Sequence, residues 1–151
     1  MSRGPARAPA ARPRAVEDLA RVLDQIPYCR FLGITVEERG GEMLSVLRFG
    51  DRIVGNQTLP AIHGGVIGAF LEMAAIVELL RQAPEGELPR PINLTVAYLR
   101  SARAVDTLAR AFVTKHGRRV ANVRVEAWQD APERPVATAQ GHFLVGPSSE
   151  P

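Results

Sequence analysis

The chain holds a single cysteine, Cys29. This excludes an intrachain disulfide framework and any multi-cysteine zinc cluster, and it fits a reducing compartment. Aromatic residues are scarce, with five Phe, two Tyr and one Trp among 151 residues, so no evident stacking surface for single-stranded nucleic acid exists. Acidic residues are missing before Glu17, where Arg3, Arg7, Arg12 and Arg14 stand. The net charge of +3 and the pI near 9.7 come from that stretch. Without those four arginines, fifteen basic residues face sixteen acidic ones, a formal −1, and the body is no basic platform for nucleic acid. No composition of a membrane-spanning or collagen-like chain is present, and no apolar h-region of a secretory signal. Three early prolines (Pro5, Pro9, Pro13) oppose the amphipathic helix of a transit peptide. What is there is ordinary for a soluble protein: 46% hydrophobic and 23% charged residues, with a mean hydropathy of −0.05. At 16.4 kDa one core can form without disulfides or a structural metal.

Residues 1–15, rich in Pro, Ala and Arg, cannot offset their ordering entropy and are expected to be a disordered tail. One domain is expected over 16–147 and a disordered end over 148–151. From Val16 to Ile26 apolar residues recur at helical spacing until Pro27. Two extended stretches, Phe31–Glu38 and Glu42–Gly50, flank the turn signal Arg39-Gly40-Gly41 and predict a hairpin. A long connection, Asp51–Ile62, leads to an apolar helix over Gly64–Gln82, ended by Pro84 and Gly86. Period-two patterns follow: Ile92, Leu94, Val96 and Tyr98; Ala121 to Ala127; Ala137 to Val145; with a further strand at Thr107–Lys115. Turns are expected at His116-Gly117-Arg118 and Asp130–Pro135. This order predicts an α+β fold with an antiparallel sheet, whose small inward residues Ala121, Ala127, Ala137, Ala139 and Gly141 leave room for the long helix.

Two features of the segment from Asn56 to Ala75 carry chemistry. Gly64-Gly65 opens the helix directly after His63. A helix N-terminus presents unpaired N–H groups and the positive end of the macrodipole, and glycines let another atom approach them. Aimed at a carbonyl oxygen, such donors form an oxyanion site; otherwise the glycines only make a tight turn. Glu72 sits amid Phe70, Leu71, Met73, Ala74, Ala75 and Ile76. A carboxylate there is a candidate base or nucleophile, or else part of a surface stripe. Glu78, about 240° further around the helix, is expected to be the solvent-facing acid. His63 alone reads as a capping residue, and Asn56 and Gln57 as turn chemistry.

Together, a polar residue, His-Gly-Gly, and an acid nine positions after the His resemble the signature of hotdog-fold acyl-CoA thioesterases. The nearest likeness is to the phenylacetic-acid-pathway and 4-hydroxybenzoyl-CoA thioesterases. The resemblance runs from Tyr28 to Val145 and includes the strand Leu94–Ala102. It implies a hotdog fold, in which a curved antiparallel sheet wraps one long helix. It also implies thioester hydrolysis without metal or organic cofactor, in the cytoplasm, with acyl-CoA as partner. Carried over by position, the Gly64 N–H would receive the thioester carbonyl, and Glu72 would be the catalytic carboxylate. Gln57 would orient water or the reacting group, and His63 would shape the helix entry. The site would lie across a homodimer interface, often paired into a homotetramer. Asn56, Gly65, Phe70 and Met73 are expected near the acyl thioester. Arg100, Arg103 and Arg118, with Lys115 and Arg119, are candidates for the CoA phosphates. Two family hydroxyls are replaced here by Ile76 and Pro91. The other readings are a non-catalytic acyl-CoA-binding hotdog protein and, against the His-Phe-Pro setting it would need, a hotdog dehydratase or hydratase.

Overall fold

The computed structural model describes residues 12–83 and 86–146. Most of the expected tail, Pro84 and the expected disordered C-terminal end lie outside the described residues.

Helix α1 (Val16–Asp24) buries Leu19 and Leu23, four residues apart on one face, and carries Glu17 and Asp18 where the helix dipole favours acids. Just before it, the Arg14 N–H donates to the Arg81 carbonyl at 3.0 Å, tying this end to the long helix. Pro27 does more than end α1. It opens a second helix, α2 (Pro27–Leu32), because a fixed φ and a missing N–H suit a first helical position. Gly33, at φ 78°, closes α2 in the left-handed region. The strand expected from Phe31 therefore begins only at Ile34.

Strands β1 (Ile34–Arg39) and β2 (Glu42–Leu47) form a hairpin whose two loop residues, Gly40 and Gly41, both have positive φ, as a type I′ turn demands. The connection that follows is structured. A 3-10 turn (Asp51–Ile53) leads into β3 (Val54–Asn56), which pairs with β4 (Ala61–Ile62). Helix α3 (Gly64–Gln82) has the expected bounds. Then come β5 (Arg90–Tyr98), β6 (Thr107–His116), β7 (Val120–Trp128) and β8 (Ala137–Leu144).

The main sheet is antiparallel throughout, in the order β1-β2-β6-β7-β8-β5. It curves around α3. The inward Ala109, Ala121, Ala127, Ala137 and Ala139 are all buried and keep the sheet surface low, so the helix lies close. Phe70, Leu71, Val77 and Leu79 fill the contact, each contributing roughly 1.5–3 kcal/mol. The space at Gly141 goes to β5 instead of the helix. A Cβ there would stand 2.5 Å from the Asn93 carbonyl oxygen, where β5 bulges between Pro91 and Asn93.

β5 also departs from its alternating pattern. Leu94 and Val96 pack partly against the core, whereas Ile92 is 51% exposed and Tyr98 57%. The bulge turns Ile92 away, and as an edge strand β5 has no neighbour on its far side among the described residues.

Candidate active site at the entry of α3

The first turn of α3 accounts for all but one of its backbone donors. His63 is the N-cap, and its Nδ1 accepts the Gly65 N–H at 2.9 Å. Its carbonyl accepts the N–H groups of Val66 and Ile67 at 3.0 and 3.2 Å. Its own N–H donates to the Ile53 carbonyl at 2.8 Å, hanging the helix entry on the 3-10 turn. The Gly64 N–H is left, exposed and without a partner among the described residues. Four orphan donors are the rule at a helix start; here one remains, at the positive end of a 19-residue helix.

Tyr98, at the end of β5, stands over this residue. Its hydroxyl donates to the Gly64 carbonyl at 2.8 Å. A Cβ at Gly64 would lie 3.4 Å from the Tyr98 ring, and one at Gly68 would lie 3.4 Å from its hydroxyl. The two glycines, four residues apart on one helix face, form the shelf on which the ring rests. Strand alternation puts Tyr98 on a strand face and gives no sign of this contact; the Gly64–Gly68 spacing is the one local signal for it. A cavity of about 340 Å³ opens beside the Gly64 amide, lined by Ala61, Ile62, Ile67, Tyr98, Leu99 and Arg100 among others.

Two turns along α3, Glu72 is half-buried and has no hydrogen-bond or ion-pair partner among the described residues. Desolvation pushes its carboxyl above the ordinary value of 4.5. Glu78 corrects the expectation of a solvent-facing acid. Its side chain is only 12% exposed, and it accepts both Nε and Nη2 of Arg81 at 2.8 and 2.6 Å, with Gln82 Nε2 at 2.8 Å. Gly64 and Glu72 are separated by about 12 Å along the helix axis and by about 80° around it. One chain does not turn both groups toward one reacting atom.

The other expected residues divide. Gln57 is exposed and lines a different cavity of about 500 Å³ with Phe49, Asp51 and Pro60. Asn56 is spent on the loop, its Oδ1 accepting the N–H groups of Thr58 and Leu59 at 3.0 and 3.2 Å. Phe70 was expected beside an acyl group but has no exposed surface, since it points into the sheet with the rest of the core. Met73 is partly buried against that core, and Gly65 is exposed with its N–H already taken.

The arginines do not form one cluster. Arg100 and Arg103 follow β5 at the Gly64 end, held by the Pro135 carbonyl at 2.7 Å and by Asp130 at 2.6 Å. Arg118 lies exposed in the β6–β7 turn, at the other end of the sheet, roughly 25 Å away along β8. Among the described residues no group of three or more His, Cys, Asp or Glu side chains is placed to hold a metal ion, and no helix is long and apolar enough to cross a membrane.

Comparison with known proteins gives this geometry a family. Among curated proteins none matches the chain. A solved protein of Chromobacterium violaceum is 36% identical, covers 89% of this chain and 93% of its own, and superposes with a TM-score of 0.68. A phenylacetic acid degradation-related protein of Ralstonia eutropha is 27% identical over 84% of this chain and 98% of its own, with a TM-score of 0.70. A Bacillus halodurans protein solved with CoA, 23% identical over 88% and 89%, shares the fold at a TM-score of 0.71. The model of the thioesterase superfamily matches residues 59–136, a span that runs from the loop before His63 to the start of β8. With its long helix in a curved six-stranded antiparallel sheet, the chain belongs to the thioesterase superfamily and has its hotdog fold.

Proposed function

We propose that the protein is an acyl-CoA thioesterase whose site is completed by a second copy of the chain. In this reading the Gly64 N–H of one subunit receives the thioester carbonyl oxygen, and Glu72 of the other attacks or activates water. The observation that carries it is a pair of groups on one helix left unsatisfied among the described residues: an exposed first-turn amide and a half-buried carboxyl. An amide donor placed at a developing oxyanion supplies about 3 kcal/mol. A raised carboxyl pKa brings the base closer to the pH at which it must hold a proton.

The 12 Å between Gly64 and Glu72 supports pairing of two chains, and the sheet edges support where it occurs. The β1 edge carries Glu37, Glu38 and Arg39 in six residues, a charged edge that discourages strand addition. β5 offers nine residues with one charge, at Arg90, and exposes Ile92 and Tyr98, with Leu99 just beyond. Two β5 strands joined about a two-fold axis would bring one entry of α3 toward the other helix. Gln57, on the exposed loop before His63, and the arginines at the sheet ends would meet the thioester surroundings and the CoA phosphates. A homodimer, further paired into a homotetramer, acting in the cytoplasm is the state this reading expects.

The test is release of CoA thiol from short, medium, long and aryl acyl-CoAs, read with a thiol reagent. Cys29 does not interfere, because it is fully buried and burial pushes its thiol up to about 11. Turnover supports the reading and names the acyl preference. Saturable binding of CoA esters without turnover would replace it by a non-catalytic acyl-CoA-binding protein.

A further inference from the structure

We infer that Tyr98 and His63 are positioning residues, which clamp the peptide unit between Gly64 and Gly65 from its two ends and so aim the free Gly64 amide. The carbonyl of that unit accepts the Tyr98 hydroxyl at 2.8 Å, and its N–H donates to His63 Nδ1 at 2.9 Å. On the preceding peptide unit the His63 carbonyl is fixed by Val66 and Ile67. Gly64 is thus held between two immobilised peptide planes, with only its own N–H unengaged.

The clamp answers a problem set by the sequence. Two successive glycines give the chain more backbone freedom than any other dipeptide, which is poor support for a donor that must point at one place. A donor is useful to a transition state only if its orientation is set beforehand. The His63 side chain supplies one anchor from the N-cap. The second comes from across the fold, 34 residues away, and the ring lying over Gly64 and Gly68 keeps the exposed hydroxyl in place.

The inference rests on the thioesterase reading for what the amide does, but the clamp can be read without substrate. The experiment uses the full-length chain labelled with ¹⁵N, as wild type, Tyr98→Phe, His63→Ala and His63→Asn. Phenylalanine keeps the ring and loses the hydroxyl. Asparagine restores an N-cap acceptor for the Gly65 N–H without an imidazole. The order parameter of the Gly64 amide should fall from the rigid value near 0.85 toward 0.6 in Tyr98→Phe and His63→Ala, and recover in His63→Asn. With a thioester substrate, kcat should fall on the order of tenfold in the first two at unchanged KM and unchanged pH midpoint, as loss of one hydrogen bond predicts.

An unchanged Gly64 order parameter in Tyr98→Phe overturns the clamp whatever the enzyme does. A His63→Asn variant as impaired as His63→Ala overturns the positioning role of His63, since the imidazole itself would then be needed. Wild-type protein without turnover would remove the thioesterase reading instead, and the amide dynamics alone would then decide the clamp.

Discussion

The two halves of α3 differ in what their polar groups touch. In the C-terminal half, Glu78 is gripped by Arg81 and Gln82, and the Arg81 carbonyl takes the Arg14 amide. In the N-terminal half, neither Glu72 nor the Gly64 amide has a partner among the described residues. The same helix, with the same apolar packing, therefore carries one carboxylate as structure and another at an energetic cost. Desolvating a carboxyl without a partner destabilises the fold, and such a cost is tolerated where the group is needed for chemistry.

The sharpest way to break that comparison is to swap the fate of the two acids. Glu72→Gln keeps shape and removes the carboxylate proposed to act on the thioester, so hydrolysis should drop by about 10²–10⁴ with the fold intact. Glu78→Gln should leave kcat within about twofold. It should instead cost about 1 kcal/mol through the weakened Arg81 pair, a loss of roughly 2–4 °C in melting temperature. Equal activity losses in the two variants would erase the functional contrast.

The Gly64 amide gives the comparison a second point of attack. His63 has an extended ψ of 132°, which a following proline accepts, and proline is favoured at a first helical position. Gly64→Pro therefore deletes this N–H with little harm to α3 and should cost about 10²-fold in kcat. Gly64→Ala keeps the N–H, and its Cβ would meet the Tyr98 ring at 3.4 Å, ordinary contact, so it should retain most activity. Matching losses in both would point to crowding at Tyr98 and away from the donor.

How much of this was legible in the sequence depends on whether a residue acts locally. The bounds of α3 were readable because His63-Gly64 and the residues after Gln82 punctuate the chain themselves. The inward alanines of β7 and β8 were readable because strand periodicity is local too. Pro27 misled because proline both ends and begins helices, and only the left-handed Gly33 shows which applies. Ile92 and Tyr98 misled because alternation cannot distinguish a central strand from an edge strand with a bulge. Glu78 misled because helical angle alone ignores an arginine three residues on that lets an acid be buried. Tyr98 was invisible as a site residue because its partner, Gly64, is brought to it only by the sheet order.

The smallest expected effect reads the cost of Glu72 directly. Its folded pKa is raised above the ordinary 4.5 by desolvation. The unfolded chain therefore loses this proton first as pH rises, and the folded state is penalised once pH passes the unfolded value. The penalty grows until the folded carboxyl ionises as well, and is constant above that. Glu72→Gln carries no such penalty. Its melting temperature should match that of the wild type near pH 4, exceed it by a degree or two at pH 7, and show the difference opening between those values. A gap of the opposite sign at pH 7 would mean that the ionised Glu72 is stabilised in the assembled protein by a cation, in which case the two acids of α3 are both paired and the contrast between its halves disappears.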